Sequence, residues 1–240
     1  MTQTASTSTL TSSMATSDQS GNTVSIVKHL LLLCYRSFLT KLASVVSHLK
    51  SVSPALTYVC DPVMGDTGPG LYVPAELLPV YKSQILPLAD VCLPNQFEAE
   101  LLTDKKITSE EEAREVMELL HDMGPATVIL SSTELGNEEF LLGLASSRVG
   151  GVRTEVRVNI PKFPASFVGT GDLFTALCTA WLTKTSGDLR LTLEKTIGTM
   201  QVKRKRHLNF FSITCKLLGC TYENISSCEC RCQGEGSDYS

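Results

Sequence analysis

The stretch Gly169-Thr170-Gly171-Asp172 places two glycines, a hydroxyl and a carboxyl directly before an apolar run. The first turn of a helix has backbone N–H groups without a partner in the helix and carries the positive end of the helix dipole. Glycines let an anion approach that backbone closely, and a neighbouring carboxylate can accept a proton from an attacking hydroxyl. Such a site suits phosphoryl transfer. From these four residues alone an ordinary capped helix is favoured, because short glycine motifs are common.

Polar residues also end three short apolar runs elsewhere in the chain. Asp61 ends the first, Asn95 the second, and Ser131 and Ser132 the third. In a parallel sheet the carboxyl ends of the strands meet at one edge, where ligands bind. Each residue alone could serve a turn. Together with the glycine-rich helix start, they indicate a binding site at that edge.

Strands are predicted where short apolar runs rich in β-branched residues occur, at 56–65, 89–95 and 126–132. Residues 138–146 and 153–161 are predicted to form an antiparallel pair. Helical patterns lie between these runs. The alternation predicts an α/β fold in which helices flank a mostly parallel sheet.

Helices are predicted from apolar spacing between residues 24 and 50, from Gln96, over 109–124 and from Gly171. Ser109 and Glu112 match a capping box at the start of the third helix. The clearest part of the first helix is 37–50. Its predicted apolar face consists of Phe38, Leu42, Val45, Val46 and Leu49.

Composition limits the classes of partner. The 240 residues are 42% hydrophobic and 19% charged, with a net charge of −4, which predicts one sizeable domain without a general attraction to nucleic acid or acidic membranes. The first 23 residues lack the apolar core of a secretory signal, and 29–39 is too short to span a bilayer. We therefore expect a cytoplasmic protein with no nucleic-acid or membrane partner. The basic block 203–206 is interpreted as a solvated charge run.

The nine cysteines are unevenly distributed. Four lie in or beside apolar segments and are predicted to be buried thiols: Cys34, Cys60, Cys92 and Cys178. The other five lie between 215 and 232, without the paired spacing of common zinc sites. Free thiols are therefore favoured over a metal site.

Five segments, taken in order, resemble pyridoxal kinases of the ribokinase-like superfamily. They are TYVCDPVMGD (57–66), LYVPAELLPVYK (71–82), PLADVCLPNQFEAELL (87–102), MELLHDMGPATVILSS (117–132) and FVGTGDLFTALCTAW (167–181). The resemblance extends over roughly 35–201. The GTGD motif alone indicates only the superfamily, whereas CDPVMGD followed by LYVP and PNQFEAELL is typical of the vitamin B6 kinases. The resemblance implies a ribokinase-like fold.

The resemblance also implies roles for the matching residues. Asp172 matches the base that activates the 5′-hydroxyl of pyridoxal, and Gly169, Thr170 and Gly171 match the anion hole for the transferred phosphoryl group. The implied ATP-binding positions are Asp61, Asp66, Tyr72, Asn95, Glu98, Ser131, Ser132, Phe163, Phe167, Gly169 and Thr170. Asp61 and Glu98 would organise Mg²⁺, largely through water.

Two departures from the family pattern affect this site. The segment 163–166 reads Phe-Pro-Ala-Ser, where the family often has Val-Asp-Ala-Val beside the adenine. Leu93 replaces a threonine, which removes a hydroxyl that would contact an alkali ion. The resemblance therefore does not carry this one alkali-ion contact over to the chain.

The implied function is ATP-dependent phosphorylation of the 5′-hydroxymethyl group of pyridoxal, pyridoxine or pyridoxamine, giving pyridoxal 5′-phosphate. Mg²⁺ or another divalent cation, a monovalent cation and a homodimer are implied with it. Two alternatives stay open. One is a catalytically impaired remnant that binds nucleotide or a full-length subunit. The other is a hydroxymethylpyrimidine kinase of the same superfamily.

The resemblance predicts three parts: an unmatched, largely disordered segment 1–34, a kinase core 35–201, and an unmatched basic and Cys-rich tail 202–240. The family's strand, glycine loop and flap that hold the pyridoxal ring have no match in the first part. We therefore expect a truncated or alternatively joined product, or a gene model with errors at both ends. For this chain we expect an exposed sheet edge, weak ATP binding and little or no transfer.

Overall fold

The structure, a computed structural model, describes residues 15–17, 23–28, 36–162 and 169–202. The chain divides into two compact units, Met1–Ile197 and Gly198–Ser240. In the second unit the described residues, 198–202, are helical. The other described residues belong to the first unit.

Nine strands are described. They are β1 (Ala15–Ser17), β2 (Thr23–Lys28), β3 (Thr57–Asp61), β4 (Gly65–Asp66), β5 (Gly70–Leu71), β6 (Val91–Cys92), β7 (Thr127–Thr133), β8 (Phe140–Val149) and β9 (Val152–Pro161). Seven form one sheet in the order β1-β2-β3-β6-β7-β8-β9, and β4 and β5 form a separate hairpin. The four central strands β2, β3, β6 and β7 are parallel, while β1, β8 and β9 run antiparallel to their neighbours. The predicted α/β fold with a mostly parallel sheet is confirmed.

Helices flank this sheet. They are α1 (Arg36–Val52), α3 (Gln96–Thr103), α4 (Glu110–Asp122) and α5 (Thr170–Lys184); a further helix, α6, follows α5 and begins at residue 189. Between α1 and α3 lies α2, the helical run 75–88, in which short 3-10, α and π turns follow one another. Two of the three changes of helical type, at Leu78 and Leu86, come one residue before Pro79 and Pro87, which lack the N–H that a continuous α-helix requires.

The main core lies between one face of the sheet and helices α1 to α4. Alternate residues of the strands point into it, including Tyr58 and Cys60 of β3 and Leu130 of β7. Leu39 of α1 and Leu120 of α4 meet them from the helices. Burial of each of these leucine side chains contributes about 1.5–3 kcal/mol to the stability of the fold. The packing of helices on this face of the sheet therefore holds the strands whose ends carry the site.

Helix α1 is present as predicted, but its buried face differs from the prediction. The buried residues are Leu39, Leu42 and Val46, whose spacing of three and four follows one helix stripe. Val45 and Leu49 are exposed by 44% and 38%. Val45 and Leu49 lie next to this stripe, because the apolar residues of α1 extend over a wider part of the helix surface than the part that packs against the core.

The helical spacing predicted from Val24 is wrong at its start, since 23–28 is strand β2. This run is rich in β-branched residues, which favour strands. Val24 to Lys28 pair in parallel with Thr57 to Asp61, so β2 covers the edge of β3 that was expected to be exposed. Strands β1 and β2 both lie within the segment 1–34.

The predicted antiparallel pair is confirmed as β8 and β9, joined by Gly150 and Gly151 with φ of +64° and +75°. Positive φ at both central residues is the requirement of a tight hairpin turn. Helix α4 is also confirmed, with the Ser109 hydroxyl accepting from the Glu112 N–H at 3.2 Å. The capping box is incomplete, because the Glu112 carboxylate instead accepts from the N–H and hydroxyl of Thr108.

Cys60, Cys92 and Cys178 are buried free thiols, as predicted. Cys34 and the five tail cysteines lie outside the described residues. Of the helices in the described ranges, none combines the length and the apolar character needed to cross a lipid bilayer.

Candidate functional site

The carboxyl ends of β3, β6 and β7 meet at one edge of the sheet. Cys60 pairs with Cys92 and Cys92 with Val128, so the three strands are aligned side by side. Asp61 ends β3, Asn95 follows β6, and Ser131 lies near the end of β7. The parallel alignment therefore brings these sequence-predicted residues to the same edge.

Asn95 connects this edge to the hairpin that follows β3. Its side-chain oxygen accepts from the Glu98 N–H at 2.9 Å and so caps α3. Its amide nitrogen donates to the Gly65 carbonyl oxygen at 2.8 Å. One side chain thus fixes both the start of α3 and the position of the β4–β5 hairpin.

Glu98 is a buried carboxyl group, with 3% of its surface exposed. One oxygen accepts from the Met64 N–H and the other from the Asn95 N–H, each at 2.9 Å. Burial raises the pKa of Glu98 to about 8; the nearby charge of Asp61 adds to this, while the backbone N–H donors oppose it. Since both oxygens hold backbone amides, Glu98 orders the loop between β3 and β4 and is suited to contact a metal through water.

The β4–β5 hairpin carries Asp66 and Tyr72. The Asp66 carboxylate accepts from the Thr67 N–H at 2.8 Å, and the Tyr72 N–H donates to the Met64 carbonyl at 2.8 Å. Both side chains are exposed. Loss of hydration, followed by the charges of Asp66 and Glu98, raises the pKa of Tyr72. The hairpin therefore presents two polar side chains to solvent beside the carboxyl edge.

Gly65 was not singled out from the sequence, yet the hairpin depends on it. A Cβ at this position would lie 2.3 Å from the Gly70 carbonyl oxygen and 2.6 Å from a ring atom of Phe97. Only glycine fits between these groups. In the sequence, Gly65 is part of the CDPVMGD motif, but there it is only one of several residues typical of turns, so its close contacts could not be recognised.

Gly169 is the N-cap of helix α5; it has a φ of +79° and makes no side-chain hydrogen bond to the helix. Among the described residues, a Cβ on Gly169 or Gly171 would meet no atom within 4 Å, so these residues leave space on this side of the first turn. Asp172 is half-buried in that turn. The two glycines differ, because Gly171 is absent from the positive-φ positions and only Gly169 needs glycine for its conformation.

A hydrogen bond joins the start of α5 to the end of β3. The Thr175 hydroxyl donates to Asp61 Oδ2 at 2.8 Å, and both residues are buried. Thr175 lies one helical turn after Asp172. This contact places the open first turn of α5 beside the acidic strand end, and nothing in the sequence pattern marked Thr175.

Ser131 and Ser132 lie at an irregularity of β7, where its pairing with β8 shifts between Leu130 and Thr133. The Ser131 N–H donates to the Pro94 carbonyl at 3.1 Å, which ties this strand end to the residue before Asn95. Both serines are half-buried. Phe163 and Phe167, the predicted adenine-flanking residues, lie outside the described residues.

Two carboxyl groups could take part in holding a divalent cation. Asp61 and Glu98 offer hard oxygen atoms, the donor type that Mg²⁺ prefers. Within the described ranges, no group of three or more His, Cys, Asp or Glu residues is arranged to enclose a metal ion by itself. The residues thus fit a cation shared with phosphate and water.

A cavity of about 1000 Å³ lies at the opposite, amino end of the strands, lined in part by Thr57, Val91 and Thr127. None of the predicted site residues lines it. The candidate site is the carboxyl edge, where the polar residues converge.

Several proteins of known family are similar to this chain. The family model described as phosphomethylpyrimidine kinase matches residues 38–195, about two thirds of the chain. The chain belongs to the phosphomethylpyrimidine kinase family. The chain is 48% identical over 176 residues to the pyridoxal kinase of Homo sapiens and 44% identical over 173 residues to that of Arabidopsis thaliana. These alignments cover 69% and 72% of this chain.

Comparison with solved structures also finds pyridoxal kinases. A pyridoxal kinase from Leishmania donovani, solved in complex with ADP and pyridoxamine, superposes with a TM-score of 0.67 at 28% identity. The match covers 74% of this chain and 60% of that one. The ribokinase-like fold and the resemblance to pyridoxal kinases are confirmed. The chain spans about half the length of the curated relatives it matches, 56% for both the human and the Arabidopsis proteins.

Proposed function

We propose that this chain phosphorylates the 5′-hydroxymethyl group of pyridoxal with ATP, and accepts pyridoxine and pyridoxamine in the same way. The observation that carries the proposal is the Thr175–Asp61 hydrogen bond, which sets the open start of α5 beside the polar carboxyl edge of the sheet. A phosphate at that point would meet backbone N–H groups, and Asp172 would lie next to it. The relatives named pyridoxal kinase and the neighbour bound to ADP and pyridoxamine support the choice of substrates.

In the proposed reaction the 5′-hydroxyl oxygen attacks the γ-phosphorus of ATP, and the bond from that phosphorus to the bridging oxygen of ADP breaks. Asp172 accepts the hydroxyl proton, and ADP leaves with the bonding electron pair. The N–H groups at Gly169 to Gly171 stabilise the charge on the transferred group. A base of this kind accelerates transfer about 10²–10⁴-fold.

The proposal includes a divalent cation. Asp61 and Glu98 would hold Mg²⁺ largely through water, and the cation would neutralise phosphate charge. Asn95, Ser131 and Ser132 would contact ATP from the strand ends, and Asp66 and Tyr72 from the hairpin. Phe163 and Phe167 keep their proposed place beside the adenine.

Three further parts of the proposal rest on the resemblance to pyridoxal kinases alone. They are the monovalent cation, the homodimer and the cytoplasmic location. Dependence on potassium, the mass in solution and the location of a tagged chain would test them in turn.

The test is ATP-dependent formation of pyridoxal 5′-phosphate by the purified chain, with hydroxymethylpyrimidine as competing substrate. Asp172→Asn should lower kcat at least 100-fold and leave ADP binding intact. Glu76→Gln, an exposed acid in α2, is the control matched in charge. Turnover of hydroxymethylpyrimidine in preference to pyridoxal would favour the phosphomethylpyrimidine branch. ADP binding without turnover of either substrate would favour nucleotide binding without transfer.

A further inference from the structure

Three threonines follow one another at four-residue spacing along α5: Thr175, Thr179 and Thr183. The Thr179 hydroxyl donates to the Thr175 carbonyl at 2.8 Å, and the Thr183 hydroxyl donates to the Thr179 carbonyl at 3.2 Å. These are the usual bonds of a helical threonine to the preceding turn. Thr175 differs, because its hydroxyl leaves the helix and donates to Asp61.

The contact to Asp61 is buried and made to a carboxylate group. Thr175 is 2% exposed and Asp61 is 6% exposed, and the donor–acceptor distance is 2.8 Å. A hydrogen bond to a charged group is stronger than one between neutral groups, and a buried carboxylate that loses a donor is costly to leave unsatisfied. The bond therefore restricts the rotation of the Asp61 side chain.

We propose that Thr175 is a positioning residue of the phosphoryl-transfer site, which fixes the Asp61 carboxylate and sets its distance from the first turn of α5. The proposal rests on the proposed function, since Asp61 is placed near the ATP phosphates there. Thr175 itself contacts neither substrate. It acts through Asp61, which joins β3 to α5 across 114 residues of sequence.

A conservative series tests this role. Thr175→Val keeps the shape of the side chain and removes the hydroxyl, Thr175→Ser keeps the hydroxyl, and Thr179→Val removes only a bond within the helix. The readouts are kcat, the KM for ATP, the KM for pyridoxal and the Kd for ADP. Thermal melting of each variant reports whether it is folded.

For Thr175→Val we expect the KM for ATP and the Kd for ADP to rise about tenfold, while the KM for pyridoxal stays within about twofold. Thr175→Ser should restore both nucleotide values to within about threefold of wild type, and Thr179→Val should leave them unchanged. This split between the two substrates would not arise from a general loss of stability.

The proposal is overturned if Thr175→Val binds ADP as wild type does, if Thr175→Ser is as impaired as Thr175→Val, or if Thr179→Val gives the same defect. If the wild-type chain turns over pyridoxal and one of these results is obtained, the proposed function stands and only the role of Thr175 is refuted. A folded wild-type chain that binds no ADP would overturn both.

Discussion

Asn95 allows the connection between α3 and the β4–β5 hairpin to be tested quantitatively. Its side chain makes two separate hydrogen bonds, one to the Glu98 N–H and one to the Gly65 carbonyl. Loss of an N-cap costs about 1 kcal/mol, and loss of a single further hydrogen bond costs about 1 kcal/mol. Asn95→Ala should therefore lower the free energy of unfolding by about 2 kcal/mol.

Asn95→Ser separates the two bonds. A serine hydroxyl can still cap α3, but it is too short to reach Gly65, so we expect a loss of about 1 kcal/mol. Ser109→Ala removes a cap on α4, remote from the hairpin, and should also cost about 1 kcal/mol. A loss of 1 kcal/mol corresponds to about 2–4 °C in Tm for a chain of this size.

The assay is urea denaturation of the four proteins, followed by ADP titration of each. Asn95→Ser should weaken ADP binding, because the hairpin loses its bond to the carboxyl edge, whereas Ser109→Ala should bind ADP as wild type does. If Asn95→Ser matches wild type in both stability and ADP affinity, the bond to Gly65 does not hold the hairpin in place and the reasoning fails.

Two other substitutions test separate features. Gly65→Ala should cost about 1–3 kcal/mol and weaken ADP binding, since its Cβ would meet a backbone oxygen at 2.3 Å. The control is Gly68→Ala in the same hairpin, whose Cβ would meet no described atom within 4 Å, and it should leave the thermal melt unchanged. His121 forms hydrogen bonds with the Pro125 carbonyl and the Ser146 hydroxyl, and burial lowers its pKa. The neutral imidazole therefore stabilises the fold above about pH 6.5, the ordinary pKa of histidine. This contribution to stability is lost as the pH falls through the lowered pKa. Urea denaturation at about pH 7.5 and about pH 5.5 should show a smaller pH effect in His121→Gln than in wild type or in the exposed control His48→Gln; equal pH effects in all three would contradict this.

The central part of the fold follows from local patterns. Short apolar runs that end in Asp61, Asn95 and Ser131 predicted parallel strands with a shared polar edge, and the aligned ends of β3, β6 and β7 confirm them. Such runs are reliable because a strand buried on both faces tolerates few polar residues. Helix α4 was equally clear, since Ser109 caps it.

Other features depended on tertiary contacts. The residues of β2 carry an apolar spacing that also fits a helix, and pairing with β3 decides between the two. On α1, the choice of Leu39 over Leu49 for the core depends on where the helix meets the sheet. Local sequence patterns cannot show the pairing of β2 or the buried face of α1, because both elements bury their surface only against residues far away in the sequence.

Within the candidate site, Asp172 was predicted from its chemistry at a helix start, and Glu98 from the resemblance to pyridoxal kinases. Gly65 and Thr175 were missed. Gly65 matters through the space it leaves, and Thr175 through a bond to a residue 114 positions away. The composition of a motif indicates neither a close approach of two segments nor the direction of a hydroxyl.

The central claim is that the start of α5 and the carboxyl edge of the sheet form one nucleotide phosphate site. Calorimetric titration of the purified chain with MgADP and, separately, with adenosine tests it most directly. The account predicts saturable ADP binding that Gly169→Val weakens about tenfold or more, because valine disfavours the positive φ and covers the N–H groups of the first turn, while the affinity for adenosine changes by less than about twofold. Equal ADP affinity of the folded Gly169→Val variant and wild type, or no ADP binding by the folded wild-type chain, would contradict it.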